Sequence, residues 1–311
     1  MSAALGGDRT ALARLISLVE NDRPGRSADL LGQVFARTGG ARLLGLTGPP
    51  GVGKSTLVNR LIGAVRAEGL SCGVVAVDPT SPFSGGAILG DRVRMQEWAT
   101  DRDVFIRSLA TRGHLGGLSR AARDVVRLID AAGFDVVLVE TVGTGQAEVE
   151  VMELAHTVMV VLAPGLGDDV QAQKAGILEI ADVLVVNKAD RDGADQVVAQ
   201  LNAMLDLAAT GGRWRPPVIR TTAAAGDGVA ELLAACDRHR AWLADQGRFE
   251  ERLRRRTERE LVSLVGGLAV DGALGRARRS GQWEEVVRAV AERRLDPYQA
   301  ARQLLVGEST S

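Results

Sequence analysis

The residues between Gly48 and Thr56 have the types and spacing that bind phosphate. They read GPPGVGKST and match the pattern G-x-x-x-x-G-K-[ST] in full, with an apolar run before them and an amphipathic run after them. Glycines let successive backbone N–H groups turn toward phosphate oxygens, and a helix start adds positive potential. The lysine bridges the outer phosphates, and the next hydroxyl coordinates Mg²⁺. We therefore predict a nucleotide phosphate site made of Gly48, Pro49, Pro50, Gly51, Val52, Gly53, Lys54, Ser55 and Thr56.

Acidic residues stand at the ends of apolar runs that should lie beside this segment. Glu140 ends FDVVLVE, and with Gly143 it forms an E-x-x-G pattern similar to the D-x-x-G of GTPases, in which the acid holds a metal-bound water and the glycine N–H senses the γ-phosphate. Asp78 ends VVAVD, and Asp91 follows ILG, where the alternative is a helix N-cap. The predicted metal ligands are Ser55, Asp78, Asp91 and Glu140. The predicted catalytic set is Lys54, Asp78, Asp91, Glu140 and Gly143.

A second motif indicates which base is bound. Asn187, Lys188 and Asp190 form N-K-x-D at the end of the apolar run VLVVN. A carboxylate at Asp190 accepts hydrogen bonds from both N1–H and the N2 amine of guanine, whereas adenine offers no donor at either place. After the next predicted strand, Thr222, Ala223 and Ala224 stand where GTPases have an S-A-x loop whose backbone N–H contacts the guanine O6. The combined motifs predict GTP/GDP with Mg²⁺ as ligands, and hydrolysis of GTP to GDP and phosphate.

Short apolar runs alternate with amphipathic segments, which is typical of an α/β fold. Several runs are apolar almost throughout, as in strands covered by helices on both faces, so we predict a doubly wound, mostly parallel sheet with ligands at the carboxyl ends of its strands. The predicted strands are 43–47, 73–77, 104–108, 135–140, 158–163, 183–187 and 218–221. The predicted helices in this region include 54–68 and 119–132.

Helical segments flank this region. Apolar residues recur at helical spacing over 10–20 and 28–37, and again after Gly247, where no strand pattern remains. We predict an N-terminal helical extension at 1–40, a P-loop domain at 41–245 and a C-terminal helical segment at 246–311. The C-terminal apolar stripe either folds back on the domain or pairs two copies as a homodimer. The first few residues are expected to be frayed.

Composition limits the partners and the compartment. The 38 basic and 39 acidic residues leave a net charge of -1, so we expect no nucleic-acid and no membrane partner. Cys72 and Cys236 are far apart, which fits a reducing compartment, and we predict a cytoplasmic protein. No apolar run approaches the ~20 residues of a membrane span, and no signal-peptide pattern begins the sequence.

Taken together, these segments resemble the MeaB/ArgK family, the methylmalonyl-CoA mutase-associated GTPases. The resemblance rests on GPPGVGKST, VDPTSPFSGGAILGDRVRM, ETVGTGQAE, PGLGDD and EIAD, the last leading to NKAD. It implies a P-loop NTPase of the SIMIBI type whose G domain docks on an adenosylcobalamin-dependent acyl-CoA mutase. It further implies that the protein gates cofactor loading and protects or reactivates the mutase.

The resemblance also assigns residues. Lys54, Ser55, Asp78, Asp91 and Glu140 match the family's phosphate, metal and catalytic positions, and Asn187 and Asp190 match its base pocket. The segment 165–174 resembles an additional switch loop, with Asp168 and Lys174 as its charged positions. Thr144 and Ala147 depart from the family's G-V-G-Q-S-E pattern. Because no glutamine follows Gly143, we predict slow intrinsic hydrolysis that a partner accelerates.

Three other functions remain open from the residues. A metallochaperone GTPase for nickel enzymes would need clustered ligands, whereas His114, His156 and His239 are scattered in the sequence. A kinase or ATPase of amino-acid transport conflicts with Asp190, which favours guanine. An inactive nucleotide-dependent scaffold conflicts with the presence of Lys54, Ser55 and Glu140 together.

Overall fold

The computed structural model describes residues 1–21, 26–78, 96–110, 117–141, 154–165, 180–208 and 214–306. The chain forms two compact units, Met1–Phe249 and Glu250–Ser311. Among the described residues, the elements that lead into the candidate site lie in the first unit. The division into domains predicted from the sequence remains a prediction.

A seven-stranded sheet runs through the first unit in the order β3-β2-β4-β1-β5-β6-β7, and all its strand pairs are parallel. This confirms the predicted doubly wound, mostly parallel architecture. In chain order the strands are β1 (Arg42–Thr47), β2 (Cys72–Asp78), β3 (Val104–Ala110), β4 (Val136–Thr141), β5 (Thr157–Leu162), β6 (Val183–Asn187) and β7 (Val218–Thr221).

Helices cover both faces of the sheet. Alternate residues of β4 show the division, because Val137 and Val139 belong to one buried apolar cluster and Val136 and Leu138 to the other. The first cluster takes its helical residues from α1 (Ser2–Leu5), α2 (Arg9–Asn21), α3 (Arg26–Phe35), α5 (Gly117–Ala131) and α6 (Ala194–Ala208). The second takes them from α4 (Lys54–Ala67) and α7 (Val229–Asp245). Burial on both faces explains why the strands read as continuous apolar runs.

The N-terminal helices are tied to the sheet by polar contacts as well as by packing. Arg107 on β3 forms an ion pair with Glu20 at the end of α2. The buried carboxylate of Asp130 on α5 accepts hydrogen bonds from the N–H groups of Gly39, Gly40 and Ala41, at 2.6, 3.2 and 2.9 Å. These contacts fix the path of the chain into β1. The expectation of a frayed N-terminus was wrong, because Ala4 in α1 is buried within the first cluster.

The second unit is helical. It contains most of α8 (Arg248–Ser280), followed by α9 (Gln282–Ala291) and α10 (Pro297–Val306). Its small core includes Ala273, Ala277, Val286 and Ala300. Among the described residues, no helix is long and apolar enough to cross a membrane.

Both cysteines are buried as free thiols. Burial raises the pKa of the Cys72 thiol from 9.0 to about 12, with the Arg66 guanidinium opposing part of the rise, and burial also raises the pKa of Cys236. The unfolded chain therefore loses these protons at lower pH than the folded protein. The free energy of unfolding is consequently expected to fall as pH rises from about 9 toward 12.

We predict a loss of about 2 kcal/mol per thiol between pH 8 and about pH 10.5, measured by urea denaturation across that range. A Cys72→Ala variant should lose less stability over the same range, because it has one buried thiol fewer. As a kinetic check, iodoacetamide at pH 8 should modify the native protein far more slowly than the urea-unfolded chain. Equal rates would contradict the buried thiol positions.

Candidate nucleotide site

The P-loop leaves the centre of the sheet at the carboxyl end of β1, which lies between β4 and β5. The backbone here passes so close to β5 that a Cβ on Gly48 would stand 2.1 Å from the Val161 carbonyl oxygen. Gly53 has a φ of +94°, and a Cβ there would meet the Asn187 side-chain nitrogen at 2.6 Å. Larger residues at either position would displace the loop. The glycines of the motif therefore serve the fold of the loop as well as phosphate access.

The loop continues directly into α4, whose N-cap is Gly53. Among the described residues, no side chain caps this helix start, so the first-turn N–H groups are directed toward the loop. Lys54 is buried, and its Nζ donates to the carbonyl oxygens of Gly48 at 2.7 Å and Pro49 at 2.9 Å. The ammonium group is thus held inside the curve of the loop, where the outer phosphates of a nucleotide would lie.

Ser55 and Glu140 meet across two elements. The Ser55 hydroxyl donates to Glu140 Oε1 at 2.8 Å, and Glu140 is only 3% exposed. The position of Glu140 follows from the register of β4, in which it lies between Leu46 of β1 and Ala76 of β2. A hydroxyl and a carboxylate side by side are hard oxygen donors, so the chemistry of this pair fits Mg²⁺.

Of the other predicted catalytic, metal and switch residues, the structure describes only Asp78. Asp78 ends β2, at the same sheet edge as Glu140. Asp91, Gly143, Asp168 and Lys174 lie outside the described residues. The sheet thus brings together Lys54, Ser55 and Glu140, while the roles of the remaining residues stay predictions.

Asn187 connects the P-loop with the loop that follows β7. Its side-chain amide is buried and donates to the Val52 carbonyl at 2.8 Å, while its oxygen accepts from Thr221 Oγ1 at 3.1 Å and the Ala223 N–H at 3.0 Å. Its neighbour Lys188 has a φ of 57° and donates from Nζ to the Gly51 carbonyl at 2.6 Å. Asn187 and Lys188 of the N-K-x-D motif therefore fix the position of the P-loop relative to the loop after β7.

Two further features bear on base binding. Asp190 is exposed at the start of the turn after β6, where its carboxylate is accessible to a ligand. The loop after β7 is held by Arg60 of α4, which donates to the carbonyl oxygens of Ala223 and Ala224. Reasoning from the sequence missed Arg60, because a charged residue on an exposed helix position carries no local signal of a contact 163 residues away.

The two described histidines, His156 and His239, make separate contacts, and His114 lies outside the described residues. His239 is buried between Thr157 and Asp182, with its Nδ1 2.9 Å from Thr157 Oγ1 and its Nε2 3.2 Å from Asp182 Oδ1. His156 accepts a backbone hydrogen bond from Leu43. Within the described ranges, no group of three or more His, Cys, Asp or Glu side chains could hold a metal ion.

Comparison with known proteins assigns the chain to a family. Residues 12–276 match the family described as methylmalonyl Co-A mutase-associated GTPase MeaB. The chain belongs to the MeaB family. A relative from Pyrococcus abyssi named as a GTPase is 50% identical over 302 residues, which cover 96% of this chain and 93% of the relative. GTPase ArgK of Escherichia coli is 38% identical over 272 residues, covering 83% of this chain and 82% of ArgK.

The fold has a counterpart among solved structures. The crystal structure of an LAO/AO transport system kinase aligns with a TM-score of 0.71 at 27% identity, over 97% of this chain and 94% of that one. The resemblance predicted from the sequence motifs is confirmed. This MeaB-family protein is a P-loop GTPase that binds guanine nucleotide and hydrolyses GTP to GDP and phosphate.

Proposed function

We propose that this protein is a Mg²⁺-dependent GTPase chaperone for an adenosylcobalamin-dependent acyl-CoA mutase of the methylmalonyl-CoA mutase type. The observation that carries the proposal is the family match along residues 12–276, because that family is described by its association with methylmalonyl Co-A mutase. In this role the protein gates loading of the mutase cofactor and protects or reactivates the mutase. The cell compartment is proposed to be the cytoplasm, in keeping with two buried free thiols.

The phosphates of GTP would lie against the P-loop, residues 48–56. Backbone N–H groups of the loop and of the first turn of α4 would donate to phosphate oxygens. Lys54 would transfer its hydrogen bonds from the loop carbonyls to the outer phosphates, which brings a positive charge to the site where negative charge develops. Mg²⁺ would be held by Ser55 and Glu140, with Asp78 and Asp91 as further ligands, and would neutralise charge on the leaving phosphates.

The base would be bound by the turn after β6, which carries Asp190, and by the loop after β7. Asp190 would accept from N1–H and the N2 amine of guanine, and Lys188 would lie beside the base. In the loop after β7, the Ala223 N–H already donates to Asn187, so the contact with O6 falls to the Ala224 N–H. Thr222 and Ala223 then shape the loop rather than read the base.

Hydrolysis is proposed to be slow until a partner completes the site. Gly143 would contact the γ-phosphate, and Asp168 and Lys174 would couple the partner to the reaction. A partner is therefore expected to raise the rate of GTP hydrolysis.

The first experiment measures GTP turnover by the purified protein with and without a purified adenosylcobalamin-dependent acyl-CoA mutase, with ATP as the control nucleotide. We expect a rise in turnover that requires both GTP and the mutase, of about tenfold or more if the partner completes the site. An acyl-CoA-binding enzyme that lacks cobalamin serves as the control partner. If GTP turnover were the same with and without every such mutase, the protein would still be a GTPase, but the proposed mutase client would be rejected.

We also propose that two copies pair through α8. Its segment Leu261–Val270 carries no charge, and five of its larger apolar side chains are at least half exposed. These are Leu261, Val262, Val265, Leu268 and Val270. A continuous run of this kind on one helix is unusual for a surface that stays in water. Gly266 and Gly267 face open space, which would allow a second helix to approach closely.

The pairing predicts a homodimer in solution, which light scattering coupled to gel filtration measures directly. Val262→Glu with Val265→Glu should give a monomer, because the two charges would be buried without partners. Leu207→Glu is the matched control, since Leu207 on α6 is exposed but lies outside the α8 run. A monomeric mass for the unmodified chain would overturn the proposal.

A further inference from the structure

Backbone hydrogen bonds stabilise the turn after β7, but they leave the orientation of one peptide in it open. The Thr222 N–H donates to the Asp227 carbonyl at 3.1 Å, and the N–H groups of Ala225 and Gly226 both donate to the Thr222 carbonyl at 2.9 Å. The turn closes tightly, because a Cβ on Gly228 would stand 2.0 Å from the Arg220 carbonyl oxygen. The orientation of the peptide that joins Ala223 to Ala224 is not determined by these bonds.

Arg60 of α4 determines it through the Ala223 carbonyl, and Asn187 at the end of β6 fixes the peptide before it. The Ala223 N–H donates to Asn187 Oδ1 at 3.0 Å. Arg60 Nε donates to the Ala223 carbonyl at 3.0 Å, and Arg60 Nη2 donates to the Ala224 carbonyl at 2.6 Å. The planar guanidinium thus spans two successive carbonyl groups with its fork of N–H donors, a geometry that a lysine ammonium cannot reproduce.

The consequence for the next donor follows from the planarity of the peptide. In a trans peptide the C=O of one residue and the N–H of the next point in opposite directions within one plane. Arg60 holds the Ala223 carbonyl toward α4, so the Ala224 N–H points the opposite way, away from α4. This is the donor left for the base, because the Ala223 N–H is used by Asn187 and the Ala225 N–H by Thr222.

We propose that Arg60 is a positioning residue for base specificity, which aims the Ala224 N–H at the O6 atom of guanine. The inference rests on the proposed base pocket and deepens it. Arg60 itself touches neither the base nor the phosphates in this arrangement. Its effect is to keep one peptide from rotating, so that O6 meets a donor already in place.

The test compares GTP with 6-thio-GTP, which keeps N1–H and the N2 amine but replaces O6 with sulfur, a weak hydrogen-bond acceptor. In Arg60→Ala, the Kd for GTP should rise about fivefold to tenfold, the loss of one well-oriented hydrogen bond, while the Kd for 6-thio-GTP should change less than about twofold. The kcat at saturating GTP should stay the same. Arg60→Lys should give an intermediate Kd for GTP, since it restores one donor.

Arg66→Ala is the matched control, because Arg66 lies on the same helix and contacts Asp101 and Asp103 instead of the loop after β7. It should leave the ratio of the two Kd values at the wild-type level, with thermal unfolding of each variant measured in parallel. An unchanged Kd in Arg60→Ala would overturn the inference. An equal rise in the Kd values for GTP and 6-thio-GTP would overturn it too, because that pattern would show that Arg60 stabilises the loop as a whole and not the contact with O6. A wild-type protein that binds ATP as tightly as GTP would instead reject the base pocket itself.

Discussion

Replacing Asp190 by asparagine is expected to change the preferred nucleotide from GTP to XTP. The wild-type carboxylate offers two acceptors, which match the N1–H and N2 amine donors of guanine. An asparagine offers one acceptor and one donor, which match N1–H and the C2 carbonyl of xanthine. In the variant, the guanine amine faces a second donor, and one of its hydrogen bonds is lost.

The expected loss of GTP affinity is about a hundredfold or more, since two charge-assisted hydrogen bonds are replaced by one neutral bond and a donor–donor contact. The affinity for XTP should rise by a similar factor, because the charged repulsion between the carboxylate and the xanthine carbonyl is removed. Fluorescent-nucleotide competition with GTP, XTP and ATP measures all three affinities. Stability should stay within about 0.5 kcal/mol, because Asp190 is exposed.

Asp192→Asn is the matched control for this variant. Asp192 is exposed in the same turn, two residues further on, and lies outside the N-K-x-D pattern. It should retain the wild-type preference for GTP. If Asp190→Asn bound GTP as tightly as the wild type and gained nothing with XTP, the proposed base pocket would be wrong.

The fold was predictable because its signals are local. A strand with helices on both faces reads as an unbroken apolar run, and β6 and β7 begin and end where the sequence predicted. The P-loop is likewise a contiguous pattern in which every residue needed for phosphate stands within nine positions. The four-residue helix α1 had no such signal, since it is too short to show periodicity.

The missed features depend on contacts between residues far apart in the chain. Asp130 accepts from Gly39 across 91 residues, and Arg60 reaches Ala223 across 163. The sequence around Asp130 does not show that this carboxylate is buried, and the sequence around Arg60 does not show that it binds a distant loop. Both look like ordinary charged residues on a helix. Asn187 was identified as part of a motif, but its role as a bridge between Val52, Thr221 and Ala223 required the folded arrangement.

The second large effect is expected at Glu140, where Glu140→Gln should lower GTP turnover about a hundredfold to a thousandfold. Glutamine keeps the length of the side chain and an oxygen that can accept from the Ser55 hydroxyl, so the local packing is preserved. What it removes is a negative charge beside the proposed metal site. The Mg²⁺ concentration that gives half-maximal turnover should therefore rise about tenfold or more.

Thermal unfolding separates this effect from a structural one. Because Glu140 is only 3% exposed, its charge is held in the protein at a desolvation cost, and the neutral variant should unfold at the same temperature as the wild type or at a higher one. Glu68→Gln is the control, since Glu68 lies at the exposed end of α4 away from the site, and its turnover should match the wild type. A Glu140→Gln protein with wild-type turnover at every Mg²⁺ concentration would show that the buried carboxylate supports the sheet edge and takes no part in hydrolysis.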